Sequence, residues 1–110
     1  MSDLSPTSTD TTPIRSDFAD DADMMELVEF FVAEMPDRVS SLEAAKAESD
    51  LAQLRTLAHQ LKGAAGGYGF TTISTVAGTV EHVLKDDAAT VDGATEQIKA
   101  LIDMCRRVAL

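Results

Sequence analysis

The chain has 110 residues, 45% of them hydrophobic, which suits one domain with a real core and excludes a globally disordered chain. A formal net charge of −10 makes nucleic acid a poor partner, because affinity for phosphate backbones comes from Lys and Arg. The single cysteine excludes an intrachain disulfide, and no apolar run approaches the ~18 residues of a membrane span, so no membrane partner is expected and a cytoplasmic location is the default.

Residues 1–15, MSDLSPTSTDTTPIR, are rich in Ser, Thr, Asp and Pro and predict a disordered arm ahead of a domain at 16–110. Ser16 can cap a short opening helix over SDFADD. From Asp23 to about Ala47, Val28, Phe31, Val32, Met35, Val39 and Leu42 recur every three or four residues and predict an amphipathic helix. Pro36 costs that helix ~3 kcal/mol, so a kink, or a break into two collinear pieces, is expected there, still as one packing element because the apolar stripe continues in phase. Asp50 and Gln53 open the next helix as a capping-box variant. Its stripe is Leu51, Leu54, Leu57, Ala58, Leu61, Ala65 and Tyr68, and the glycines at 66–69 end it. Thr71 or Thr72 can cap a third helix, with Ile73, Val76, Val80, Val83 and Leu84 inward. KDDAATVDG is a loop by composition. The last helix begins near Val91 and carries Ala94, Ile98, Leu101, Ile102 and Cys105 on its apolar face, with Arg106 and Arg107 suiting its C-terminal dipole. Together these segments predict an all-α fold, an antiparallel up-down-up-down four-helix bundle with a short extra N-terminal helix.

One stretch, LAHQLKGAAGGYGF, is costly for a helix, since each interior glycine loses about 1 kcal/mol relative to alanine. At ~100° per residue His59 lies about 120° from the centre of the apolar stripe, off the core face. Its neighbours on the helix surface are small at Gly63, Gly66 and Ala52 and cationic at Lys62 and Arg55. A lone histidine on a polar face is most often just solvated, and His82 is read that way. Around His59, however, small residues strip cover from the ring and two cations stand ready to hold an anion beside it. Imidazole is a competent nucleophile near neutral pH, and phosphorylation gives a reactive P–N bond suited to relay. Lys62 would supply a point charge to phosphoryl oxygens, with Arg55 assisting. Glu81, on the flank of the next helix, is the candidate to accept the other ring N–H. The chain has no nucleotide-binding loop and no obvious acidic triad for Mg²⁺. It therefore reads as a phosphoryl acceptor and donor with no cofactor of its own, not an autonomous enzyme, whose partner brings the metal and the activated phosphate.

AHQLKGAAGGYGF resembles the motif of the histidine-containing phosphotransfer (HPt) domain family, His-x-Leu-Lys-Gly followed by small residues and a later glycine. His59, Leu61, Lys62, Gly63, Ala64, Ala65 and Gly69 match as they stand, and a weaker similarity extends over residues 17–107. Gly66-Gly67-Tyr68 departs from the pattern, where a longer polar residue and then Leu or Val are more usual; Tyr68 is expected to replace that aliphatic anchor. The resemblance implies a monomeric carrier, phosphorylated reversibly on His59 by the phospho-aspartate of a receiver domain in a response regulator or hybrid histidine kinase. It implies Mg²⁺ in that receiver, Lys62 as charge partner, and Gly63 as the position that leaves space for phosphate and partner. Two rivals are an adaptor that binds receivers without being phosphorylated and an enzymatic module, either an autokinase substrate or a histidine-dependent phosphatase.

Overall fold

A computed structural model describes residues 12–86 and 88–110 of the chain. Among these residues four α-helices, α1 (Ala22–Ala47), α2 (Leu51–Gly67), α3 (Thr71–Leu84) and α4 (Thr95–Arg106), pack around one apolar core, with a short 3₁₀ turn at Asp92–Ala94 leading into α4. Among the described residues no helix is long and apolar enough to cross a membrane.

The caps explain where the first two helices begin. Asp21 accepts from the Asp23 N–H at 3.0 Å, and Asp50 accepts from the Gln53 N–H at 3.0 Å, each satisfying a backbone donor the helix leaves open. α1 runs unbroken through Pro36, so the expected break into two pieces does not occur. Val28, Phe31 and Met35 before the proline and Val39, Leu42 and Ala45 after it share one buried face, and that packing holds the helical phase across the missing bond.

The exit of α2 is tightly built. Gly69 sits at φ +85°, and the Phe70 N–H reaches back to the Ala65 carbonyl at 2.8 Å, the closure of a Schellman cap. Phe70 is fully buried and stacks on Phe31 at 5.1 Å, and half-buried Tyr68 tilts against the same ring at 5.4 Å. Sequence periodicity does not reveal Phe70 as core, because it lies in the turn beyond the stripe.

The short opening helix over SDFADD does not form. Residues 17–20 are turns, held by Ala19 N–H to Ser16 O and Asp21 N–H to Phe18 O. Ser16 is buried and holds the α2 exit instead of capping a helix: its Oγ donates to the Tyr68 carbonyl at 2.6 Å and accepts from the Phe18 N–H at 2.9 Å. Residues 1–11 of the expected arm lie outside the described residues. Its last part is not a free tail, since the Ile14 N–H donates to Arg107 O at 2.8 Å and the Ala109 N–H to Ile14 O at 2.9 Å.

α3 starts one residue before the expected caps could act. Phe70 is its N-cap, without a side-chain bond, and Thr71 Oγ1 donates to Asp17 Oδ2 at 3.0 Å. Its inward face is Ile73, Ala77, Val80 and Leu84, with Val76 and Val83 only half-buried. The α-helical part of the last segment begins at Thr95 rather than near Val91; Ala94 is buried as expected, and Val91 is buried as well. Cys105 is buried too, and that desolvation pushes its thiol up to about 12.

Candidate functional site

α2 packs most extensively on α3, and that seam carries the polar cluster. His59 stands mid-way along α2 with its side chain 67% exposed. Its Nδ1 lies 2.8 Å from Oε2 of Glu81 on α3, a carboxylate that is almost wholly covered. Lys62 Nζ contacts the other oxygen, Oε1, at 2.8 Å, and Lys85 Nζ lies 3.4 Å from Oε2.

This arrangement sets the protonation states. The bond from Lys62 pulls the Glu81 carboxyl down from 4.5 to about 2, with His59 and Lys85 adding to it, against a desolvation that acts the other way. An ionised carboxylate only accepts, so Nδ1 of His59 carries a proton and donates it. In the neutral form of the ring the lone pair then lies on the other nitrogen, Nε2. Glu81 also faces any positive charge that develops on the ring.

Glycines set the approach of the helices here. A Cβ at Gly78 of α3 would lie 3.2 Å from Lys62 Cδ, so the missing side chain gives the lysine stem room to cross to Glu81, one turn further on. Ser74 Oγ donates to the Lys62 carbonyl at 2.8 Å, and a Cβ at Gly66 would lie 3.2 Å from that Oγ. Gly66 thus leaves room for the Ser74 hydroxyl of α3 alongside α2. At Gly63, one turn beyond His59, a Cβ would meet nothing within 4 Å.

Arg55 lies one turn before His59. Its Nη1 donates at 3.4 Å to the Leu84 carbonyl, one of the acceptors left open at the end of α3. Arg55, Thr56, His59, Gln60, Glu81 and Lys85 line an open cleft of about 380 Å³. His82 is exposed on α3. Among the described residues no group of three His, Cys, Asp or Glu side chains is placed to hold a metal ion.

The structure therefore brings His59, Lys62, Glu81 and Arg55 together, leaves Gly63 open, and turns Gly66 to the helix seam. Sequence reasoning missed Lys85 and Gly78. Their signals were the i, i+4 spacing of Lys85 from Glu81 and an isolated glycine inside a helical pattern. Chemically, the cluster presents a nucleophilic ring nitrogen with its tautomer set from behind and ammonium groups beside it, an arrangement suited to an anionic electrophile.

The model of the Hpt domain family matches residues 26–109, most of the chain. No curated protein and no solved structure matches it.

Proposed function

The chain belongs to the Hpt domain family, the phosphocarrier modules of histidine phosphotransfer in two-component phosphorelays, and from that premise we propose that His59 accepts a phosphoryl group from a receiver domain's phospho-aspartate and passes it to another receiver. The Nε2 lone pair forms the N–P bond while the aspartyl O–P bond breaks, its electron pair remaining on the partner's carboxylate. Nδ1 keeps its proton, so the ring becomes cationic and Glu81 stabilises it. The return step runs the same bonds backwards. Lys62 attends the phosphoryl oxygens as they pass, Gly63 leaves room for the partner, and Mg²⁺ belongs to the receiver. The helices run up-down-up-down, an arrangement favoured by the three-residue connections at 48–50 and 68–70. The unit at work is the HPt-like domain from about residue 16 to 110, a monomer in the cytoplasm where its receivers act.

The observation that carries this proposal is the 2.8 Å bond from Nδ1 of a ring 67% exposed to a covered carboxylate. A phosphorylated receiver with Mg²⁺ is the test. The wild-type chain should take up acid-labile label and His59→Gln none; equal uptake by the two would overturn the assignment. Receiver binding without any uptake would point to the adaptor instead.

A further inference from the structure

We propose that Lys85 and Arg55, beyond a Lys62 that stays on Glu81, supply the surplus positive charge that matches the phosphoryl group on His59. This rests on His59 being the acceptor.

The chain holds nine Lys and Arg against nineteen Asp and Glu, yet three of the nine, Arg55, Lys62 and Lys85, gather around one ring. Glu81 cancels one of the three. The remaining two suit a phosphoryl group, whose charge at neutral pH is about −2.

Which cations are free to serve is decided by how tightly each is held. Lys62 sits 2.8 Å from Oε1, the oxygen that takes neither the ring nor Lys85, and its stem rests against Gly78. Drawing it off would strand that oxygen of a covered carboxylate, which is expensive. Lys85 is 3.4 Å from an oxygen that already accepts from His59, and its side chain is 63% exposed. Arg55 holds a backbone carbonyl at 3.4 Å. Both long contacts can be exchanged at low cost for charge-assisted bonds to phosphoryl oxygens, and the arginine fork suits two of them. Arg55 and Lys85 are also the cations that line the same cleft as His59, with Glu81 as the other charged group there.

The test compares two donors, a phosphorylated receiver and phosphoramidate, a small donor that needs no docking surface. Wild type, Lys85→Met, Arg55→Met and the double variant are labelled with each, and the label is mapped to His59. Each single variant should slow uptake about threefold and the double variant about tenfold, with both donors alike, as expected for exposed charges near the transferred group. Lys85→Arg should restore the rate. The ³¹P titration of the phosphorylated double variant should move up by about half a pH unit, a change that a merely structural role would not produce. Losses confined to the receiver donor would overturn the proposal and make the two cations docking contacts. Wild-type rates in the double variant would overturn it as well. A wild-type chain unlabelled at His59 by either donor would instead bring down the acceptor assignment, and this proposal with it.

Discussion

A Cβ built at Gly63 would meet nothing within 4 Å, whereas one built at Gly69 would lie 2.5 Å from Ser16 Oγ, 2.9 Å from Phe18 Cδ2 and 3.1 Å from the Asp17 nitrogen. The first glycine is inside α2 with ordinary helical backbone; the second is in the turn that ends it, at φ +85°. Both cost backbone entropy on folding. At Gly69 the cost is compulsory, because the chain crosses itself there and leaves no space for a side chain. At Gly63 the folded chain asks for nothing, which fits the proposal that the space serves a docking receiver. Crowding around the missing Cβ thus separates a glycine the fold needs from one the fold leaves free.

The largest effect is expected at the turn. Gly69→Ala should destabilise the domain by about 2–4 kcal/mol, combining left-handed strain with overpacking against Ser16 and Phe18. Ser16→Ala alone should cost about 1–2 kcal/mol, since it leaves the Tyr68 carbonyl without its donor. In the double variant the 2.5 Å contact with Ser16 Oγ is gone, so the two losses should sum to less than their separate values in urea unfolding. Strict additivity would show that Ser16 is not what Gly69 makes way for.

The opposite sign is expected mid-helix. Gly63→Ala should gain up to about 1 kcal/mol, because alanine is the better helix former and no neighbour must move. Its melting temperature should rise by about 4–8 °C, while transfer from a phosphorylated receiver slows. Gly63→Leu should fold and yet block that transfer. A Gly63→Leu chain that accepts phosphoryl groups at the wild-type rate would remove the functional half of the comparison.

What the sequence discloses follows the same division. Periodicity placed the four helices and the azimuth of His59, because both depend on spacing within one segment. Pro36 misled only as to a break: its local cost is outweighed, as the unbroken apolar stripe implied, by a face shared on either side of it. Thr71 and Ser16 misled in a different way. Each is a good cap by type, but each bonds across the fold, Thr71 to Asp17 and Ser16 to the α2 exit. Glu81 was visible as a flank candidate once α2 and α3 were taken as neighbours. Lys85 and Gly78 were not, since their roles exist only when the two helices lie side by side at a particular height. Gly66 looked like a partner of Gly63 from spacing alone, and only the position of Ser74 separates them.

The smallest effect is expected from pH, and it sharpens the comparison by acting on one region alone. Glu81 is held at about 2 in the folded chain against 4.5 as its ordinary value, so the native state binds fewer protons than the unfolded one in between. Its contribution to stability is whole above pH 4.5 and is lost as the pH falls toward 2. Glu81→Gln cannot titrate, so its deficit relative to wild type should be greatest above that window and shrink across it. The effect should be modest and weaken in 1 M salt, because the ammonium and ring partners are 42–67% exposed and water screens them. Gly69→Ala has no charge at stake, so its deficit should stay constant across the same window. Melting temperatures of the three proteins from pH 6 to 2 read this directly. A Glu81→Gln deficit as flat as that of Gly69→Ala would mean that the carboxylate acts by shape rather than by charge, and the electrostatic account of the α2–α3 seam would have to be abandoned.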